Sequence, residues 1–302
     1  MKTLHRFIQL MILAIFITLA SWQTTPSRDL EMESCPFIDP SSMNGHEHGV
    51  LPSSLTTWFP FEVECPICKT KNVFMQVGSY GTYIYQWPSK YQLIFWPYTD
   101  SPAWYSCRKC RLTTFMGDFK SIPKEKIPSL QEMLKGVSLA AQKERGKEES
   151  LANPPYLELS ISARLLVAEQ VYRILGKTGD EFWGNFYRVM GYHFDEEKMQ
   201  SEADDARRKA LAIAERAVAD KSQEGTRKES LYVSGALRHY LRDDAAALRN
   251  FEEARKLKYS NKDLKPENND GYDSYLSKLI DEYIEMLGKS EGPGTKKTEG
   301  DH

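Results

Sequence analysis

Cysteine is scarce in this chain. Five in 302 residues are too few for the disulfide framework of a small secreted scaffold. Charge of one sign is missing as well: 40 Lys and Arg stand against 42 Asp and Glu, a formal net charge of -2. No broad positive field exists to gather DNA or RNA, so nucleic acid is not an expected partner. No apolar run reaches the about 20 residues that a membrane-spanning helix needs. The longest, Phe7 to Ala20, holds 14 and is interrupted by Gln9 and Thr18. Absent too are H-E-x-x-H, the phosphate-binding glycine loop, G-x-S-x-G and the dinucleotide glycine motif. No catalytic residue is therefore assigned, and no enzyme class is indicated. What remains is an ordinary globular balance, 41% hydrophobic and 27% charged, long enough for one or two domains.

The first 57 residues carry little fold information. Lys2 and Arg6 precede the Phe7–Ala20 run, and Thr18 and Ala20 place small residues before a cleavage point. That is the pattern of a signal peptide over residues 1–20, and it predicts an exported protein, periplasmic or extracellular. Left uncleaved, the same segment would be a signal-anchor, the one membrane contact expected. Residues 21–57, rich in Ser, Thr and Pro, read as a flexible leader. Within it His46 and His48 flank Glu47, an arrangement read as solvent-exposed histidines, and Cys35 is read as an odd free thiol.

The strongest chemistry lies in residues 58–125. Cys65-Pro66-Ile67-Cys68 is answered by Cys107-Arg108-Lys109-Cys110. Two intervening residues let a tight turn aim both sulfurs at one centre. Two such turns supply four thiolates in a tetrahedron, the ligand set of a structural zinc ion (Zn2+) with no open coordination position. Lys69, Lys71, Arg108, Lys109 and Arg111 surround the pairs and would offset the charge of a tetrathiolate. Two other chemistries suit the same residues outside the cytosol: structural disulfides, and a thiol–disulfide redox pair at Cys65 and Cys68. A redox motif belongs where a strand meets a long helix, and no long helix is expected before about residue 128. Thirty-eight residues separate Cys68 from Cys107. In them Tyr83, Tyr85 and Trp87 alternate, followed by Tyr91, Leu93 and Phe95, which predicts two strands joined by a turn at Pro88-Ser89-Lys90. Trp58, Phe59, Trp104 and Tyr105 are expected to cover the site.

After residue 126 the pattern becomes helical. Ser129 with Glu132 suggests a capping box. Leu157, Ile161, Leu165, Ala168 and Tyr172 recur at one-turn spacing, and Phe182 to Met190 forms a further helix expected to stop near Gly191. Helices are predicted over about 199–220, 227–241, 243–257 and 272–287, and residues 289–302 read as a disordered tail. Leu231, Gly235, Ala247, Phe251 and Ala254 stand at the spacings of a tetratricopeptide helix pair, with Gly235 and Ala247 letting two helices approach closely. The fold class is thus α+β: a small zinc-ribbon-like β module with an aromatic-rich insertion, then a tetratricopeptide-like or bundle domain over residues 126–288.

This arrangement resembles the bacterial family called domain of unknown function 2225. Those proteins open with a C-P-x-C pair, matched here by Cys65, Pro66 and Cys68. A second C-x-x-C follows an aromatic-rich insertion, matched by Cys107 and Cys110 with Tyr105 ahead of them. A helical, tetratricopeptide-like part comes next. After Cys110 the family tends to continue Gly-Tyr, where this chain has Arg111-Leu112. The resemblance implies no established activity. Taken together, the sequence predicts an exported, zinc-stabilised scaffold whose helical domain binds a protein or peptide partner.

Overall fold

Apolar and aromatic residues on both sides of Cys65 and Cys68 build the first sheet. The computed structural model describes residues 57–79, 89–137 and 154–290. Strands Thr57–Glu64 (β1) and Lys71–Ser79 (β2) pair antiparallel, from Glu64 opposite Lys71 beside the cysteine turn to Thr57 opposite Ser79. Val63, Val73 and Phe74 are buried. A second, shorter hairpin brackets the other cysteine pair: Trp104–Ser106 (β3) against Thr113–Phe115 (β4). The signal peptide, the leader with Cys35, His46 and His48, the strand expected at Tyr83 to Trp87, and the tail beyond residue 290 lie outside the described residues.

The strand expected at Tyr91, Leu93 and Phe95 is not one. Ser89–Gln92 forms a 3-10 turn, and Leu93 takes a φ of 48°. Leu93 and Ile94 are consecutive and both only 1% exposed, yet they enter different cores. A strand with one buried face cannot bury two successive side chains. Here the contacts of the helical part decide the backbone, not the alternation.

Seven helices follow among the described residues. Ile127–Lys135 (α1) begins two residues before the expected Ser129 cap, with Pro128 in its first turn, where a missing N–H is harmless. Ile161–Ile174 (α2) is capped twice: Ser160 Oγ accepts from Ala163 N at 3.2 Å, and the Glu197 carboxylate accepts from Ile161 N and Ser162 N at 2.8 and 3.2 Å. Then come Asp180–Glu196 (α3), Gln200–Ala219 (α4), Arg227–Tyr240 (α5), Asp244–Arg255 (α6) and Pro266–Ser290 (α7). Short connections make α3 with α4, and α5 with α6, antiparallel hairpins. Gly191 does not stop α3. A Cβ there would lie 2.9 Å from Arg207 Cγ on α4, so the glycine serves close helix approach. Gly235 behaves as its spacing predicts: a Cβ would lie 2.7 Å from Phe251 Cε1, and Ala247, Phe251 and Ala254 are fully buried.

Three cores result. One joins α2, α3 and α4 with Trp104 and Ile94. A second joins the cysteine hairpins to α1 and α2. The third lies among α5, α6 and α7 and takes in Leu93.

Candidate metal centre

Each cysteine pair sits in the same local turn. In the first, Lys69 N donates to the Cys65 carbonyl at 3.0 Å and Cys65 N to the Thr70 carbonyl at 2.9 Å. In the second, Arg111 N donates to Cys107 O at 3.0 Å and Cys107 N to Leu112 O at 2.9 Å. The residue after each second cysteine closes the turn in the left-handed region, Lys69 at φ 61° and Arg111 at φ 65°. Two like turns on two hairpins thus face each other.

The sulfurs meet across the turns. Cys65 Sγ is 3.5 Å from Cys110 Sγ, and Cys68 Sγ is 3.5 Å from Cys107 Sγ. All four lie within 4.8 Å of one another, and all four are free thiols. A zinc–sulfur bond of about 2.3 Å in a tetrahedron implies sulfur separations of about 3.8 Å, so the donor set fits such an ion. Cys65 and Cys107 are buried, and Cys68 and Cys110 are half-buried. Pairing across the turns is the geometry of one shared centre, not of a disulfide within each C-x-x-C. Cys65 to Cys68 also lie in a β-hairpin turn rather than at the start of a long helix, where a redox dithiol is set up.

Crowding makes the sulfurs ionise as a set. Hydrogen bonds from the Cys110 and Cys65 thiols hold Cys107 far below the usual thiol range. The same sharing with Cys107 raises Cys65 and Cys110. Without a cation the cluster keeps protons between its sulfurs. Full ionisation places four negative charges together, which a divalent cation halves. Of the five basic neighbours, Arg111 responds to the cluster: burial lowers its pKa, and Cys107 and Cys110 draw it back up. Lys69 and Lys71 instead pair with Glu64 and Glu62 on the exposed face, each at 3.7 Å.

A residue that sequence reasoning passed over holds the turns in register. Asn72, 3% exposed, donates from Nδ2 to the Thr70 carbonyl at 2.8 Å in the first turn. Its Oδ1 accepts from Arg108 N at 2.9 Å in the second. A polar, strand-averse residue immediately before Val73-Phe74-Met75 was the available signal. Behind the turns, Phe74 stacks on Tyr105 at 4.3 Å and meets Tyr156 and Phe119 edge-on. Tyr105 Oη donates to Met75 O at 2.8 Å, and Tyr156 Oη accepts from Met75 N at 3.2 Å. Of the four residues expected to cover the site, Tyr105 does so. Phe59 is 59% exposed, Trp58 packs near Trp96, and Trp104 belongs to the helical core.

Three further titratable residues have local structural partners. His193 is buried with Nε2 2.8 Å from the Tyr98 carbonyl. His239 Nδ1 lies 2.7 Å from Asp244 Oδ1, and Asp243 caps α6 through Ala246 N at 3.2 Å. No helix among the described residues is long and apolar enough to cross a membrane.

Fold and centre together define a class: a four-cysteine, double-turn β module set against an array of helical hairpins. Residues 59–275 match the family described as uncharacterized protein conserved in bacteria (DUF2225), a stretch holding the four clustered cysteines and every described helix into α7. The chain belongs to that family. No curated protein and no solved structure matches it.

Proposed function

We propose that this protein is an exported bacterial scaffold, stabilised by zinc at Cys65, Cys68, Cys107 and Cys110, whose helical array binds a protein or peptide partner. The observation that carries the reading is the approach of four sulfurs, from two turns far apart in sequence, to within 4.8 Å of one another. With four protein ligands a zinc ion has no position left for water, so the centre is structural rather than hydrolytic. It ties β1–β2 to β3–β4, neither of which is large enough to hold itself. Export rests on the Phe7–Ala20 segment and the basic residues ahead of it. The partner role rests on the stacked hairpins, an architecture that offers an extended face.

The test is metal and thiol analysis of the full chain purified without chelators. The expected result is a single zinc ion per chain, released as four thiols are titrated by a mercurial reagent. Zinc-free protein with Cys65 joined to Cys68 would point to the redox reading and overturn this one. Mass measurement of the protein from fractionated cells checks export, with loss of residues 1–20 expected.

A further inference from the structure

Residues 89–104 run from the insertion to β3 across the helices. Lys90 Nζ lies 3.1 Å from Glu282 Oε2 on α7, and the Tyr91 hydroxyl donates to the same carboxylate. The Tyr91 carbonyl accepts from Tyr232 Oη on α5 at 3.0 Å and from Tyr283 Oη on α7 at 3.2 Å. The carbonyls of Gln92 and Leu93 both accept from Arg188 on α3, at 3.1 and 3.2 Å. His193, also on α3, meets the Tyr98 carbonyl. Arg164 on α2 donates to the carbonyls of Ser101 and Trp104 at 2.8 and 2.7 Å. The chain therefore passes α7, α5, α3 and α2 in turn, antiparallel to their order. Of these, α3 and α5 are the first helices of the two hairpins, and α7 follows α6 in the same position. They form one face of the array.

Two features distinguish this segment from ordinary packed structure. Most of the clamps reach main-chain carbonyls, so they follow the path of the backbone rather than its side chains. The segment itself is built of single turns, such as Leu93 N to Lys90 O at 3.2 Å and Tyr98 N to Phe95 O at 3.1 Å. Leu93 anchors the segment in the core of α5 to α7, while Ile94, Ala103 and Trp104 anchor it in that of α2 to α4. Stacked helical repeats take extended ligands along such a face, and tyrosine and arginine are the side chains enriched where they do.

We infer that this face of the array is a peptide groove already filled by the chain's own residues 89–104, which an external peptide enters only when that segment lifts out. The inference rests on the interaction reading above and specifies its ligand: a short segment offering successive main-chain carbonyls and a leucine anchor. The apparent affinity for such a peptide is reduced by the fraction of molecules in which the groove is closed.

The probe is a fluorescein-labelled synthetic peptide of residues 89–104, titrated against the full chain and against full-chain Leu93→Asp. The substitution disfavours burial of the resident anchor and leaves every clamp in place. Saturable binding to the variant is expected, with binding to the unaltered chain at least about tenfold weaker. Adding Arg188→Gln to the variant should weaken binding again. Equal binding to both chains would keep an interaction surface but refute self-filling. No binding by a Leu93→Asp chain with intact helical circular dichroism would refute the groove itself. Should that variant lose its helices, hydrogen exchange on the unaltered chain decides. The Leu93 amide is expected to exchange at least about tenfold faster than those of α5 and α6, through local opening. Exchange at their rate would overturn the inference. None of these outcomes bears on the zinc and thiol count.

Discussion

Asn72 bonds both cysteine turns with one amide, and no other buried side chain described at the centre does the same. Replacing it with alanine removes the bond to Thr70 O and the one from Arg108 N. A loss of about 1–3 kcal/mol in stability is expected, with metal affinity lowered about 10- to 100-fold, as for other residues that orient ligands from behind. Competition against a chelating dye measures the second effect, and an unchanged affinity would count against this role. Lys69 offers the opposite sign. Its φ of 61° strains a side-chain-bearing residue, and its ion pair with Glu64 is exposed and long. Lys69→Gly should therefore raise stability by about 1 kcal/mol, read as a higher urea midpoint. His193 gives a pH signature. Burial lowers its pKa from 6.5 to about 4, although the Tyr98 carbonyl pulls the other way. Between these values the unfolded chain holds the extra proton and the native chain does not. Its contribution is complete above pH 6.5 and is lost as pH falls toward 4, by about 3 kcal/mol. His193→Gln should flatten that slope in urea titrations from pH 7 to 4; identical slopes would refute the assignment.

At the scale of elements, four basic residues explain much of what the sequence concealed. Lys69, Arg111, Lys198 and Arg242 all have positive φ, where glycine is the usual marker. Lys198 ends α3 in a Schellman turn, its N–H bonding Asp195 O at 2.9 Å and Met199 N bonding Phe194 O at 2.8 Å. Arg242 ends α5 the same way, through His239 O and Arg238 O at 2.8 and 2.9 Å. With lysine at the end of α3 that stop was unmarked, and Gly191 drew the expected end to itself, whereas the end of α5 was expected within one residue of Tyr240. The cysteine pairs were legible because their spacing alone fixes the turn. The helix pair at Leu231 to Ala254 was legible because close approach demands small residues at set intervals. Residues 91–95 were not, because their conformation comes from helices far along the chain. The α5–α6 contact can be tested by setting two effects against each other. Gly235→Ala improves helix propensity by about 1 kcal/mol. It also places a Cβ 2.7 Å from the Phe251 ring, and overpacking of this kind costs about 1–3 kcal/mol. Net destabilisation is expected, with Phe251→Leu relieving part of it in a double-mutant cycle. A stabilised Gly235→Ala would show that the hairpin does not depend on close approach.

At the scale of the whole molecule the question is how far a zinc ion held by the four sulfurs, as proposed, would extend its influence. The cysteine hairpins share a core with α1 and α2, including Val167 and Val171. Helices α5 to α7 build their own core, to which the insertion contributes Leu93. Structural zinc contributes about 10–16 kcal/mol in small modules, and the proposed ion would contribute on that order here. That equals or exceeds the about 5–15 kcal/mol by which a whole domain is stable. Two short hairpins cannot outlast its removal, whereas helical hairpins held by contacts close in sequence can. Metal removal from the full chain, by chelator under reducing conditions, should expose the amides of β2, β3 and β4 to hydrogen exchange. The amides of α5 and α6 should stay protected, and most of the helical circular dichroism should remain. The helix α2 is the informative boundary. Arg164 ties it to Ser101 and Trp104, and Tyr172 Oη ties it to Phe115 N at 2.9 Å and Asp118 at 2.7 Å. It should exchange at an intermediate rate. If α5 and α6 lose protection together with β2, the module and the array unfold as one unit. The four sulfurs would then set the stability of the entire described chain rather than that of its front half.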